Sequence, residues 1–263
     1  MCRILALTQQ LPKLSLATTL IQFGSLAESG LVMEGSEAGH RDGWGMVCYR
    51  DGRVVQKAKR ATDASKDSSY GQVVEKISAE VPELSMVHLR KQSIGAVAEE
   101  NTHPFLLDNW SLCHNGTLFG SESIPLSEEM KACVRGTSDT ERLFLSIMGN
   151  LRKISGDPKN IRAGIIDTVA YIRQHHDYVA LNILLSDGKK LWALREVNER
   201  NALVKGSCSF EYLSLYVAMN SQGKVMAVCS EKLDVPESMW RPMPNHTLLE
   251  IDIRTHTQRG HII

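Results

Sequence analysis

The sequence predicts an α+β fold in which antiparallel sheets are covered by helices, and two features carry that expectation. Strand-like runs are joined by tight turns at Asp51-Gly52 and Asp187-Gly188, with a third turn candidate at Gln222-Gly223. Helical periodicity comes in separate blocks rather than alternating strand by strand, which argues against a doubly wound parallel sheet.

The elements follow in chain order. In residues 14–29, Leu16, Leu20, Phe23 and Leu26 recur at spacings of three and four, and Gly30 is the expected C-cap of this amphipathic helix. A strand over 44–49, the Asp51-Gly52 turn and a strand from Val54 onward make the first hairpin, because Asp-Gly tolerates the positive φ angles of a two-residue turn. Apolar runs at 84–89 and 110–113 read as further strands. Ser138-Asp139-Thr140-Glu141 has the form of a capping box, followed by a helix whose apolar face is Leu143, Phe144, Ile147 and Leu151. Asn160 opens another helix, with Ile161, Ile165, Val169 and Ile172 on one stripe. Residues 180–185 and 190–194 form the second hairpin, 224–229 follows the third turn, and 248–253 alternates as a strand. With no repeat, low-complexity segment or linker in sight, residues 1–263 read as one domain.

Composition excludes several functions. Thirty Lys plus Arg balance thirty Asp plus Glu, so no basic footprint exists for nucleic acid or an anionic membrane. No window approaches the roughly 18 apolar residues of a membrane span, and Ile4 to Leu7 is too short for a signal-peptide core, so a cytoplasmic location is expected. The six cysteines, Cys2, Cys48, Cys113, Cys133, Cys208 and Cys229, are widely spaced and form no CxxC, and the nine histidines form no HExxH. No metal or other cofactor is expected. Cys48, Cys113 and Cys229 lie in apolar runs, where a thiol behaves as a small buried hydrophobe. Cys2 differs by position: removal of Met1 would leave a thiol and a free α-amine on one residue.

Four segments carry more polar residues than a plain core calls for: His88-Leu89-Arg90, Asn101-Thr102-His103-Pro104-Phe105, His114-Asn115-Gly116 and Gly136-Thr137-Ser138-Asp139. Together with Cys2, in this order and approximate spacing, they resemble the class II glutamine amidotransferases, N-terminal-nucleophile hydrolases whose chain begins at Cys. The stretches Ser230-Glu231-Lys232-Leu233-Asp234 and Trp240-Arg241-Pro242 resemble a compact stand-alone subgroup that includes γ-glutamyl hydrolases. The resemblance implies a four-layer αββα sandwich and cleavage of a γ-glutamyl amide through a Cys2 thioester. It assigns the oxyanion to Asn115 and Gly116, the substrate's zwitterionic end to Arg90 and Asp139, and further substrate contacts to Ser93 and His103. Ser93 stands where a Thr is common in the family and keeps the hydroxyl.

The residue types suit these tasks. A thiol of pKa about 8.5 beside an α-amine of about 7.7–8.0 supplies nucleophile and base on one residue. Preorganised donors at a developing oxyanion are worth about 3–4 kcal/mol each. A guanidinium fork holds a carboxylate, and a carboxylate accepts from an ammonium. Glycine at 116 is expected for a turn conformation closed to other residues. With the amine as base, His103 and His114 are not needed for acid–base work. Gly43-Trp44-Gly45 is expected to line the nucleophile's neighbourhood, and Arg3 follows the nucleophile without an assigned task. The expected partners are a small γ-glutamyl substrate and a separate synthetase or acceptor; self-association stays open. The competing readings are an N-terminal-nucleophile amide hydrolase for another acyl group, which would not call for Arg90 with Asp139, and a catalytically silent regulatory subunit.

Overall fold

A computed structural model describes residues 2–9, 11, 14–33, 35–153, 158–204 and 211–263. Among the described residues, thirteen strands run in chain order as β1 (Arg3–Leu7), β2 (Gly43–Arg50), β3 (Arg53–Arg60), β4 (Leu84–Arg90), β5 (Phe105–Leu107), β6 (Trp110–Leu118), β7 (Tyr178–Ser186), β8 (Lys190–Arg195), β9 (Tyr216–Met219), β10 (Val225–Cys229), β11 (Trp240–Pro242), β12 (Thr247–Asp252) and β13 (Gln258–Ile262). The helices are α1 (Leu16–Ser29), α2 (Ser68–Glu80), α3 (Glu128–Lys131), α4 (Asp139–Lys153), α5 (Pro158–His175) and α6 (Glu199–Val204). One sheet has the order β11-β9-β10-β1-β4-β2-β3 and the other β13-β12-β8-β7-β6-β5. Their strands pair antiparallel throughout, as hairpin connections require.

Strand alternation divides the interior into layers. Leu5 and Leu7 of β1, Trp44 and Met46 of β2, and Val87 and Leu89 of β4 pack outward against Leu20 and Phe23 of α1 and Tyr70, Val74 and Ile77 of α2. The intervening Ile4, Ala6, Val47, Leu84 and Met86 point inward to meet Cys113, Leu184 and Ala193 of the second sheet. That sheet's outer face, including Leu112, Leu181, Ile183 and Leu194, packs on Leu143 and Ile147 of α4 and Ile165, Val169 and Ile172 of α5. The four layers are therefore helix, sheet, sheet and helix, the expected αββα sandwich.

Local chemistry explains the element ends. The Ser15 hydroxyl accepts from the Thr18 amide at 3.0 Å and starts α1. Gly24 makes room for α2, since a Cβ there would fall 2.5 Å from the Tyr70 ring. Asp51 and Gly52 take φ of 52° and 68°, the pair of positive values that closes the first hairpin.

Gly30 is the C-cap of α1 as expected, with φ of −61° and its amide bonded to the Leu26 carbonyl; a Cβ there would fall 2.6 Å from that oxygen, which excludes a side chain. Three other points differ from the sequence reading. The helix expected from Asn160 begins at Pro158. The 68–80 helix has no strong periodic signal in the sequence: it has only three buried positions, and its start rests on Asp67 accepting from the Ser69 amide at 2.9 Å. Glu141 does not return to Ser138 as a capping box would; its carboxylate accepts from the Arg135 and Gly136 amides at 3.0 and 2.8 Å.

Among the described residues no helix is long and apolar enough to cross a membrane. Cys48, Cys113 and Cys229 are buried and free, and burial pushes the Cys48 and Cys229 thiols up to about 12. Cys208 lies outside the described residues.

Candidate active site

Cys2 immediately precedes β1, an interior strand flanked by β4 and β10, so its backbone is held on both sides. It is 7% exposed, and its thiol donates weakly to the Lys91 carbonyl at 3.5 Å. Burial pushes that thiol up, which favours the neutral form until a base is supplied. A narrow cleft beside it is lined by Cys2, Arg90, Ser93, His103, Gly116 and Asp139, together with Lys91, Ile94, His114, Ser138 and Thr140. Residues from the end of β4, the middle of β6 and the first turn of α4 thus converge on the start of β1.

Each group expected to recognise substrate is held by its own surroundings. Arg90 closes β4 opposite Gly43, on the inward face with His88 as strand alternation requires. Its guanidinium donates from Nη1 to the Ala96 carbonyl at 2.9 Å and from Nη2 to those of Ile94 and Gly95 at 3.3 and 3.2 Å. Asp139 is the first residue of α4, where the helix dipole favours a carboxylate. Its Oδ2 accepts from the Leu118 amide at 2.8 Å and its Oδ1 from the Thr140 amide at 2.9 Å. Ser93 is exposed in the loop after β4.

Asn115 and Gly116 lie within β6, not in a turn. Alternation puts Asn115 on the same inward face as Cys113, towards the first sheet, where β1 and β4 face β6. Asn115 is fully buried, and neither Nδ2 nor Oδ1 has a hydrogen-bond partner among the described residues. Gly116 takes no left-handed angle, which corrects the expected turn conformation. It is glycine for want of space, since a Cβ would lie 1.8 Å from the Ala180 carbonyl oxygen.

Three histidines pack behind the cleft. The His88 and His103 rings lie 4.0 Å apart between centroids, and His103 Nδ1 accepts from the His114 amide at 3.3 Å. His114 bonds Thr140 through Nδ1 at 2.8 Å and the Ala180 carbonyl through Nε2 at 3.1 Å, so Nε2 carries the proton and Nδ1 accepts. Burial pushes all three imidazoles below their ordinary value and holds them neutral. Among the described residues no three side chains of His, Cys, Asp or Glu converge as a metal site.

The glycines flanking Trp44 behave differently from Trp44 itself. A Cβ on Gly45 would fall 2.1 Å from the His103 carbonyl oxygen, so Gly45 abuts the site, whereas the Trp44 indole turns outward and donates to Asp67 at 2.9 Å. Arg3 also points away from the cleft. It is fully buried, pairs with Glu231 at 2.9 Å, donates to the carbonyls of Tyr212 and Ser230 at 3.4 Å and of Leu31, and stacks 4.7 Å from the Tyr212 ring centroid. It anchors the backbone next to Cys2 to three distant segments. Asn101, inside a segment rich in polar residues but given no task by sequence reasoning, bonds both the 94–96 loop and the residues before Asp139. A larger cavity of about 750 Å³ opens at the outer edges of the two sheets, beside β3 and β5. Its wall includes Lys59, Phe105 and Phe144 but none of the expected site residues, so the chemistry is assigned to the smaller cleft.

A family model described as class-II glutamine amidotransferases matches residues 1–249. YafJ of Escherichia coli (strain K12) is 28% identical over 207 residues, covering 75% of this chain and 74% of its own. DUG3 of Saccharomyces cerevisiae is 23% identical over 255 residues, covering 81% of this chain and 70% of its own. Both carry glutamine amidotransferase in their names. Among solved structures, a glutamine aminotransferase class-II domain protein from Silicibacter pomeroyi superposes with a TM-score of 0.58 at 17% identity, over 100% of this chain and 99% of the other. The glutamine phosphoribosylpyrophosphate amidotransferase of B. subtilis gives 0.63 at 16%, over 100% of this chain and 49% of the other. At such identities these two likenesses speak for a common fold.

Proposed function

The chain belongs to the class II glutamine amidotransferases, and from that membership we propose that it cleaves a γ-glutamyl amide bond through a thioester on Cys2, with residues 1–263 acting as one glutaminase-type domain. The observation that carries this reading is the convergence of Cys2, Arg90, Ser93, His103, Gly116 and Asp139 on one cleft, from segments up to 137 positions apart (139 − 2).

Removal of Met1 frees the Cys2 α-amine, which takes the thiol proton directly or through water. The thiolate attacks the γ-carbonyl carbon, and the charge that develops on its oxygen is met by Asn115 Nδ2 and the Gly116 amide. On collapse the C–N bond breaks, the C–S bond remains, and the proton held by the amine passes to the departing nitrogen. Water then attacks the thioester, regenerating the thiol and releasing a γ-carboxylate; an amine in place of water gives transfer. The α-carboxylate of the substrate takes guanidinium hydrogens that Arg90 does not spend on the 94–96 carbonyls, and its α-ammonium takes the remaining lone pairs of Asp139. Released ammonia serves a separate synthetase where one associates, and hydrolysis stands alone otherwise.

Arg90 with Asp139 favours this reading over an amide hydrolase for an apolar acyl group, which has no zwitterion to clamp. The test is intact mass before and after exposure to 6-diazo-5-oxo-norleucine, a zwitterionic glutamine analogue with an electrophilic end. A chain lacking Met1 that gains one adduct, located on Cys2, is the expected result. A chain lacking Met1 that stays unlabelled overturns γ-glutamyl recognition.

A further inference from the structure

The substrate's α-carboxylate and α-ammonium sit on a single carbon, so the groups that hold them must keep a fixed separation. Arg90 and Asp139 come from different sheets' surroundings, one ending β4 and the other beginning α4, and no backbone hydrogen bond between neighbouring strands sets their distance. We propose that Asn101 is the positioning residue that sets it, an inference that rests on the γ-glutamyl reading above.

Asn101 ends a 3-10 turn at Glu99–Asn101 and is 2% exposed. Its Oδ1 accepts from the Thr137 amide at 2.7 Å and the Ser138 amide at 3.0 Å. Its Nδ2 donates to the Ala96 carbonyl at 3.1 Å and the Thr137 hydroxyl at 3.3 Å. Two amide donors on one atom and a carbonyl acceptor on the other fix which is oxygen and which nitrogen, and the side chain's two lone-pair sites and two hydrogens are all used.

Those partners are the supports of the clamp. The Ala96 carbonyl that Asn101 holds is the one that receives Arg90 Nη1 at 2.9 Å. Ser138, whose amide Asn101 holds, directly precedes Asp139, and its hydroxyl lies 3.3 Å from Asp139 Oδ1. One side-chain amide therefore spans the guanidinium's support and the carboxylate's support. Gly136 is shaped to it, because a Cβ there would fall 2.2 Å from Asn101 Oδ1. The Ser138 amide is also the donor that a reciprocal capping box would have given to Glu141; Asn101 takes it, and Glu141 turns to the Arg135 and Gly136 amides instead. Misplacement of a recognition group by about 1 Å costs on the order of a hundredfold in rate, so a tether of this kind is felt in substrate capture.

The experiment compares two reagents at Cys2, with the labelled position read from peptide masses. 6-Diazo-5-oxo-norleucine needs the zwitterion clamp; iodoacetamide does not. Asn101→Asp keeps both bonds accepted by Oδ1 and loses both donated by Nδ2, the tether to Ala96 among them, while Asn101→Ala loses all four bonds. At subsaturating reagent, Asn101→Asp is expected to slow diazo-oxo-norleucine labelling about tenfold and Asn101→Ala further, with iodoacetamide rates within about twofold of wild type. Equal slowing with both reagents would make Asn101 a merely structural residue, and no slowing with either would remove its role. Wild-type protein that reacts with iodoacetamide but not with the glutamine analogue would strike the γ-glutamyl reading itself, and this inference with it.

Discussion

Asn115→Ala separates stability from catalysis more sharply than other substitutions at the site. Asn115 is fully buried, and neither atom of its amide has a partner among the described residues. An orphaned buried polar group costs about 1–3 kcal/mol in the folded state, so removing this one relieves strain of that size. The void left behind costs about 1 kcal/mol per methyl-sized gap, and the two terms nearly cancel. Stability is therefore expected to change by no more than about 1 kcal/mol, a shift of about 2–4 °C in Tm for a chain of this length. Loss of an oxyanion donor, by contrast, costs about 3–4 kcal/mol in the transition state, a fall in kcat of about 10²- to 10³-fold.

The assay pairs denaturant unfolding with steady-state hydrolysis of a γ-glutamyl anilide, and Asn101→Ala serves as the contrasting case. Asn101 makes four hydrogen bonds, each worth about 1 kcal/mol net, so its truncation should destabilise by about 4 kcal/mol. An Asn115→Ala protein that unfolds as readily as Asn101→Ala while keeping wild-type kcat would refute the oxyanion assignment.

Other expectations can be tested alongside. Cys2→Ala should abolish turnover, and unchanged activity would end the thioester mechanism. Arg90→Ala should lower kcat/KM chiefly through substrate capture, measured against the same anilide. Glu231→Ala leaves the fully buried Arg3 guanidinium without its carboxylate and should destabilise by about 3–5 kcal/mol in denaturant unfolding; a loss below about 1 kcal/mol would show that the carbonyls of Leu31, Tyr212 and Ser230 suffice. Burial holds His40 at about 3 and pushes His88, His103 and His114 below their ordinary value, so between those folded values and about 6.5 the unfolded chain binds more protons. Stability should therefore be complete above about pH 6.5 and fall as pH drops through that window, by up to about 2 kcal/mol per histidine at pH 5. Unfolding curves that coincide at pH 7 and pH 5 would contradict this.

Local signals were legible where one segment contains its own cause. The Asp51-Gly52 and Asp187-Gly188 turns, with Gly188 at φ of 85°, define their hairpins from two residues each. The stripes of α1, α4 and α5 are read from spacing because each lies on a broad apolar sheet face. The 68–80 helix escaped because Tyr70, Val74 and Ile77 are its only buried side chains and its cap, Asp67, equally suits a turn. Asn115 and Gly116 drew notice as a pair, yet the usual reason for Asn-Gly does not apply: the pair is strand, and the neighbouring Ala180 carbonyl rather than a backbone angle demands glycine. Arg3 with Glu231 and Asn101 with Ser138 were out of reach, since partners 228 (231 − 3) and 37 (138 − 101) positions apart meet only once sheet order and loop paths are set.

Apart from the two ring nitrogens of His88, which also lack partners among the described residues, the unpaired buried atoms of the site fall on one side of it. At the recognition end, Arg90 is bonded to three carbonyls, Asp139 to two amides and Asn101 to four partners. At the reacting end, both polar atoms of Asn115 and Oδ1 of its cross-strand neighbour Asn182 lack partners, while Asn182 Nδ2 is pinned to the Leu213 carbonyl at 2.9 Å. These conditions have different consequences for catalysis. A saturated group has fixed geometry but must share bonds to take substrate, so part of its interaction is already present in the free enzyme. A donor with no partner among the described residues gives up no protein hydrogen bond when it meets a charge that develops only in the transition state. Substitutions at Arg90, Asp139 and Asn101 should therefore be felt in kcat/KM through binding, and those at Asn115 in kcat. The cost of the orphaned atoms is borne by the apolar layers on either side, which fix β1 and β6 without any contribution from the groups that react.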